Sequence, residues 1–270
     1  MTTNEAERQR WNDEYFASQW PRNERITDLV TPFLLDALGL RAGECVVDIG
    51  CGGGRSSIAA ARAVGSGGRV VGADVSAPLV RLARQRAEEA GVDNVEFQVV
   101  DVQTDPVERA PFSVAMSQFG VMFFDEPVAA FANVRAQLEP GARLAFACWQ
   151  SAESNPWFLG TAVAAFVPPP PEPAPGKSRT GPFALADPER TTRILLEAGF
   201  GNVDRAAVAL DIDLPQEPVA DRTRLAFMGV PDAELAAAEA ALDSYMQQFT
   251  VGGGLWRFPL RLQIFEASAG

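Results

Sequence analysis

From Val46 to Gly54 the chain reads Val-Val-Asp-Ile-Gly-Cys-Gly-Gly-Gly, and an alanine-rich helical pattern follows from Ser56 to Val64. An apolar, β-branched run that ends in an acid, then in glycines at 50, 52 and 54, reads as a buried strand handed to a helix. The turn between them carries almost no side chains, so backbone groups and a helix N-terminus can approach a ligand closely. That is the nucleotide-binding corner of an open α/β sheet, whose ligands sit at the carboxyl ends of its strands. The dinucleotide fingerprint G-x-G-x-x-G matches at Gly50 and Gly52 but fails at Arg55.

Periodicity extends this unit in both directions. Helical patterns cover residues 4–20, stopped by Pro21, and 26–38, ending at Gly39. Strand patterns at 44–49, 69–73, 95–100, 112–117 and 143–149 alternate with helical ones at 55–64, 77–90 and 126–138. Such alternation predicts a parallel sheet with helices on both faces. The rhythm breaks after Trp149. A helix is expected over 157–167, a polyproline-like connector over 168–175, a helix over 187–198 and a strand over 203–214. Helices over 219–227 and 232–249 follow, then a glycine break at 252–254 and a last strand over 258–267.

Composition narrows the chemistry. The 270 residues carry a formal net charge of −12, which opposes a general nucleic-acid surface. No stretch of about 18 apolar residues is present to span a membrane. Residues 1–10 are polar and charged, unlike a secretory signal. Cys45, Cys51 and Cys148 form no Cys-x-x-Cys pair, a reduced, cytoplasmic pattern. Histidine is absent altogether, which removes the usual general base and the commonest zinc ligand. No metal site is expected. Acid–base work falls to Asp13, Glu14, Tyr15, Asp125, Glu126, Glu153 or Tyr245, and none stands out, so the catalytic residues stay unassigned.

Three successive strand patterns end in an acid: Asp48, then Asp74 before Val75, then Asp101 before Val102. The fourth ends in Ser117-Gln118-Phe119. Carboxylates gathered along one edge repel each other unless a ligand brings donors to them.

The motif Asp-x-Gly-x-Gly-x-Gly, from Asp48 to Gly54, resembles the first motif of class I S-adenosylmethionine-dependent methyltransferases. Residues 113–150 look like small-molecule methyltransferases of the ubiquinone and menaquinone biosynthesis type. The resemblance implies a Rossmann-like, doubly wound sheet of about seven strands in the order 3-2-1-4-5-7-6, strand 7 antiparallel. It also implies helical lid elements at the N-terminus and after strand 5. Four segments are expected: 1–40, an N-terminal helical lid; 41–150, the cofactor-binding core; 151–200, a helical, proline-rich lid insertion; and 201–270, completing the sheet with a helical excursion.

S-adenosylmethionine is the cofactor so implied. Asp74 would accept its ribose hydroxyls and Asp101 its exocyclic amine. Asp48 or the Gly50 carbonyl would take the α-amino group, and backbone N–H groups with Ser117 the carboxylate. Cys51, Gly52, Gly54, Val75, Val102 and Gln118 complete the set. Phe119, Met122 and Phe123 would line the acceptor pocket, closed by Trp11, Tyr15, Phe16 and Trp20 on one side and by Trp149 and Trp157 on the other. The function expected is methyl transfer to a small, partly hydrophobic organic acceptor, oxygen slightly ahead of carbon or nitrogen. The partners are that acceptor, no nucleic acid, and a second copy of the chain if it dimerises. The alternatives are an NAD(P)-dependent oxidoreductase, for which no Tyr-x-x-x-Lys pair exists, and a non-catalytic binding subunit of the same fold.

Overall fold

The computed structural model describes residues 5–167, 178–216 and 222–270, apart from the side chains of Ala6, Phe16, Asn23 and Phe227. The proline-rich connector expected at 168–175, residues 219–221 of an expected helix and the Phe16 side chain lie outside the described residues.

Three helices come first, α1 (Glu5–Trp11), α2 (Glu14–Thr27) and α3 (Thr31–Leu38). Then β1 (Cys45–Ile49), α4 (Arg55–Val64), β2 (Arg69–Asp74), α5 (Ala77–Glu89), β3 (Val95–Val99), β4 (Phe112–Gln118), α6 (Pro127–Arg135) and β5 (Leu138–Trp149) alternate as the periodicity predicts. Beyond them lie α7 (Leu159–Val163), α8 (Pro188–Glu197), β6 (Phe200–Pro215), α9 (Arg222–Phe227), α10 (Leu235–Met246), β7 (Thr250–Gly252) and β8 (Leu255–Ala269). The strands form one sheet in the order β3-β2-β1-β4-β5-β8-β6, with β7 paired to β8. β1 to β5 pair in parallel. The last long strand is thus inserted between β5 and β6, which is the Rossmann-like order the resemblance implies.

The inner strands are continuous apolar runs because helices cover them. Val46, Val47 and Ile49 of β1 and Val114, Ala115 and Met116 of β4 are buried, as is all of β5 from Leu144 to Trp149. α4 packs on β1 and β2, α5 on β2 and β3, and α3 on β4 and β5. An aromatic column fills the layer under β5. Phe146 stacks on Phe265 at 5.3 Å and meets Phe131 at 5.4 Å, and Phe131 takes Phe124 and Phe200 edge-on.

Contacts divide the described residues into two compact units. One comprises those of Met1–Trp149, Ala174–Ala206 and Gln263–Gly270, the other those of Gln150–Pro173 and Ala207–Leu262. The second has its own core, in which Val163, Leu225, Leu242, Met246, Phe249 and Phe258 are buried. Asn155 ties it together, exchanging hydrogen bonds with the Arg261 backbone at 2.8 and 2.9 Å. Among the described residues no helix is long and apolar enough to cross a membrane.

The N-terminal helices depart from the periodicity. The break falls at Asn12, not at Pro21, and α2 runs straight through that proline. A proline inside a helix gives up a backbone hydrogen bond, and tertiary contacts made around it offset the loss. Asn12 is used for docking: its side chain donates to the Val75 carbonyl and accepts from the Ala77 N–H, both at 3.0 Å. A second break at Leu29 separates α2 from α3, whose first turn holds Pro32. Likewise β7, where a helix was expected to give way to a flexible glycine break, is a hairpin arm. Gly252, Gly253 and Gly254 turn it back on β8 with φ of 90°, 61° and 71°.

Asp48 joins β1 to α4. Its Oδ2 accepts from the Ser56 and Ser57 hydroxyls at 2.7 and 2.6 Å, in the first turn of the helix. Its Oδ1 is buried with no hydrogen-bond partner among the described residues. Burial lifts this carboxyl to about 6, against the pull of the two serines. The folded protein therefore holds a proton that the unfolded chain releases near pH 4. The associated stability is complete at low pH and is lost as pH rises through about 6.

Two consequences are measurable. The melting-temperature difference between Asp48→Asn and the parent should move in the variant's favour from pH 5 to pH 7, by the equivalent of about 1 kcal/mol; a difference that stays flat would refute the assignment. Phe146→Ala should cost about 3–5 kcal/mol in urea unfolding, since the column above it cannot collapse into the gap.

Candidate functional site

The glycine turn is held from both sides. Gly50 and Cys51 donate their N–H groups to the Ala73 carbonyl at 2.8 and 3.1 Å, and Gly52 donates to Asp74 Oδ2 at 2.8 Å. Gly54 donates to the Cys51 carbonyl at 2.9 Å. Gly50 and Gly52 have φ of 69° and 51°, and neither has room for a side chain. A Cβ on Gly50 would sit 2.7 Å from Gly120 Cα, and one on Gly52 would sit 2.6 Å from the Trp20 ring. The glycines thus bring the β4 loop and α2 against the turn. The N–H groups of Gly50, Cys51, Gly52 and Gly54 are spent inside the protein and are not offered to an anion.

A cleft of about 230 Å³ opens over this turn. Its floor is the row of strand ends: Ile49 to Cys51, Ala73 to Val75 and Val100 to Gln103. Asp74 lies there nearly buried, with Oδ1 on the Ser76 N–H at 2.8 Å and Oδ2 on Gly52. Burial raises its carboxyl, and the backbone donors pull it back. Asp101 Oδ1 accepts from the Gln103 N–H at 3.2 Å. Burial, with Asp74 and Asp48 nearby, pushes the Cys51 thiol far up, so it is an inert apolar filler.

One wall comes from α1 and α2, through Trp11, Trp20, Glu24, Thr27 and Asp28. Glu24 is the pin. Its Oε1 accepts from Trp20 Nε1 at 2.6 Å and Arg86 Nη1 at 2.8 Å, and Arg86 also donates to the Gly53 carbonyl at 2.9 Å. Asp28 pairs with Arg55, at the start of α4, at 3.1 Å. Burial raises the Asp28 carboxyl, and Arg55 pulls it down by less.

The opposite wall is apolar. Phe119 stacks flat on Trp149 at 4.2 Å, and Phe123 meets Trp11 edge-on at 5.0 Å. Met122, Phe124 and Pro182 complete it. The segment carrying Pro182 is fastened to this end: Gly181 donates to the Met122 carbonyl at 3.3 Å, and Thr180 donates to Glu7 of α1 at 2.9 Å.

Of the residues expected at the cofactor, Gly50, Cys51, Asp74, Val75, Asp101, Val102 and Gln118 line the cleft. Gly52 and Gly54 shape the turn from behind. Asp48 is wholly buried on Ser56 and Ser57, and its place is beneath the turn. Ser117 is likewise spent: it donates to the Ile49 carbonyl at 2.7 Å and accepts from the Gly120 and Val121 N–H groups, clamping β4 to β1. Ser117 Oγ and the N–H groups of Gly50, Cys51, Gly52 and Gly54, expected at the donor's carboxylate, are thus engaged within the protein. The Gln118 amide bridges α2 to α3, donating to the Thr27 carbonyl and accepting from the Thr31 hydroxyl.

Among the expected acceptor-pocket residues, Trp11, Trp20, Phe119, Met122, Phe123 and Trp149 line the cleft. Tyr15 sits on α2 outside the lining. Trp157 packs on the core of the second unit and donates to Asn155 at 3.0 Å. Asp13, Glu14, Asp125 and Glu126 also lie outside the lining; Glu153 and Tyr245 belong to the second unit. Sequence reasoning missed Glu24, Thr27, Asp28, Arg55 and Pro182. Arg55 was visible only as the residue that breaks the dinucleotide fingerprint. Among the described residues no group of three acids or cysteines is placed to hold a metal.

Residues 46–141 match the family model described as a methyltransferase domain. The chain is 34% identical over 126 residues to aklanonic acid methyltransferase DauC from Streptomyces sp. (strain C5), covering 47% of this chain and 54% of that one. It is 34% identical over 113 residues to the ubiquinone/menaquinone biosynthesis C-methyltransferase UbiE of Cellvibrio japonicus, covering 42% and 45%. The matched region thus spans about half the length of these curated relatives. A putative methyltransferase from Bacillus halodurans shares the fold, with a TM-score of 0.59 and 18% identity, covering 88% of this chain and 98% of that one. Residues 46–141 thus resemble a methyltransferase domain, and the strand order is that of the Rossmann-like fold this chain shares with the solved neighbour.

Proposed function

We propose that this protein binds S-adenosylmethionine in the cleft and transfers its methyl group to a small, planar, partly hydrophobic organic acceptor. The observation that carries the reading is the polarity of the floor. The turn offers no N–H from Gly50, Cys51, Gly52 or Gly54, while Glu24, Asp28, Asp74 and Asp101 line the cleft against Arg55. A doubly charged pyrophosphate would meet four carboxylates there with the Arg55 guanidinium as the one cationic donor in the lining among the described residues. A cationic nucleoside meets acceptors for its hydroxyls and amines, so the residues present fit the cofactor. Asp74 would accept the ribose hydroxyls with lone pairs left over from Gly52 and Ser76, and Asp101 the exocyclic amine. The Gly50 carbonyl would take the α-ammonium group.

Bound there, S-adenosylmethionine supplies a methyl group on a positively charged sulfur, which leaves as the neutral thioether when the acceptor's lone pair takes the carbon. The protein's task is placement. Holding the reacting atoms in line supplies on the order of 7 kcal/mol in well-oriented systems. The Phe119–Trp149 stack gives a flat apolar wall that seats a planar acceptor and excludes water. No titratable side chain lies among Phe119, Met122, Phe123, Phe124, Trp149 and Pro182 at that end of the cleft. That apolar end suits a nucleophile that ionises readily by itself, such as an acidic phenol or enol oxygen, with an activated carbon next. The names of the matched relatives, an aklanonic acid methyltransferase and a ubiquinone/menaquinone C-methyltransferase, support a small organic acceptor.

Titration calorimetry should give a one-site isotherm with S-adenosylhomocysteine and no heat with NAD. Heat with NAD alone would replace this reading with an oxidoreductase. Asp74→Ala should weaken S-adenosylhomocysteine at least about tenfold. In turnover assays across phenols, β-dicarbonyls and amines, Trp149→Ala is expected to raise KM for the acceptor while cofactor affinity stays within about twofold; loss of cofactor affinity instead would move Trp149 out of the acceptor wall.

A further inference from the structure

The methyl donor ends in an amino acid, whose carboxylate and ammonium both need partners. The groups expected to supply them are largely unavailable. Asp48 is buried under the turn, Ser117 and Gln118 are committed to backbone and to Thr27 and Thr31, and the N–H groups of Gly50, Cys51, Gly52 and Gly54 are spent. Arg55 is the one guanidinium lining the cleft among the described residues. It stands at the first position of α4, directly after the glycine turn. Its Nη1 lies 3.1 Å from Asp28 Oδ2 and its Nε 3.5 Å from Glu24 Oε2.

We propose that Arg55 and Asp28 are a receptor for the zwitterionic end of the methyl donor, the guanidinium taking the α-carboxylate and Asp28 joining the Gly50 carbonyl on the α-ammonium. This rests on the function proposed above and adds two residues to it. Two further observations favour the exchange. The Arg55 and Asp28 side chains are 54% and 30% exposed, so the pair they make with each other is a weak, solvent-screened one that a ligand can replace. Glu24, by contrast, is 4% exposed and already neutralised by Arg86 at 2.7 Å. It therefore holds the Arg55 Nε side as a fixed anchor while the Nη side is free to turn to the ligand. The guanidinium fork suits a carboxylate geometrically. Burial, with Glu24 beside it, raises the Asp28 carboxyl against the pull of Arg55 and Arg86, an environment that suits a further cation.

The test uses the full chain and three probes by calorimetry: S-adenosylhomocysteine, its analogue lacking the α-amino group, and 5′-methylthioadenosine, which lacks the whole amino-acid end. Arg55→Gln should weaken S-adenosylhomocysteine roughly 10- to 100-fold and leave 5′-methylthioadenosine within about twofold. Arg55→Lys should recover part of the loss. Asp28→Asn should weaken S-adenosylhomocysteine but not the analogue without the amino group. Equal weakening of all probes would mean that the pair merely latches the helix, and unchanged affinity for S-adenosylhomocysteine in both variants would equally overturn the proposal. A parent protein that binds none of the probes would instead remove the proposed function itself, a different outcome from either.

Discussion

Everything at the cleft hangs on the hydrogen bonds from the glycine turn to the end of β2. Gly50 and Cys51 share the Ala73 carbonyl, and Gly52 takes one oxygen of Asp74. A turn with φ above zero at Gly50, Gly52 and Gly54 has no helical or sheet partner of its own, and a buried N–H left unpaired costs as much as a lost hydrogen bond. The end of β2 solves that problem and aligns Asp74 at the same moment. One carboxylate thus sets the turn and remains in the cleft with unused lone pairs. The price is a cleft floor rich in negative charge, because α4 also draws Asp48 beneath the turn.

The same turn fixes the N-terminal helices. Without a side chain at Gly52 the Trp20 ring can lie on the backbone, and the Arg86 guanidinium can reach the Gly53 carbonyl while gripping Glu24. α2 is therefore pinned by a desolvated carboxylate with two donors, an arrangement far stronger than a surface ion pair. That pin explains how α2 tolerates Pro21, and it places Thr27 and Asp28 at the cleft. Across the floor, Ser117 binds the Ile49 carbonyl and the Gly120 and Val121 N–H groups, so the aromatic wall after β4 is set by a single hydroxyl.

How much of this was legible in the sequence follows from where the information sits. β1, β2, β4 and β5 are buried on both faces, so their apolar runs announce them, and the acids at their ends stand out against that background. The glycine turn was legible because its conformation excludes other residues. The break at Asn12, the continuous α2 and the β7 hairpin were not, since each depends on partners distant in sequence. Glu24 and Asp28 look like ordinary helix-surface acids, and only the fold brings Arg86 and Arg55 to them. Ser117 marked the right strand end, yet its hydroxyl is consumed by a neighbouring strand that the sequence cannot position.

A floor that holds Asp74 and Asp101 beside each other, above a buried Asp48, is costly for the empty protein. Burial is the main reason that the Asp48 and Asp74 carboxyls are raised. Part of that cost is offset locally, since Asp48 accepts from Ser56 and Ser57 and Asp74 from the Gly52 and Ser76 N–H groups. Asp48 holds the first turn of α4 and Asp74 holds the glycine turn, and under the proposed function Asp74 and Asp101 also accept from a ligand that brings hydroxyls and an amine. A ligand that binds the folded protein adds to its stability, so binding and folding are linked. The aromatic wall carries no such penalty; in the proposed function its flat faces set the shape of the acceptor and leave the charge to the floor. Under the proposed function, selectivity for donor and acceptor is divided between two surfaces of one cleft, the first built from strand ends and the second from the loop after β4.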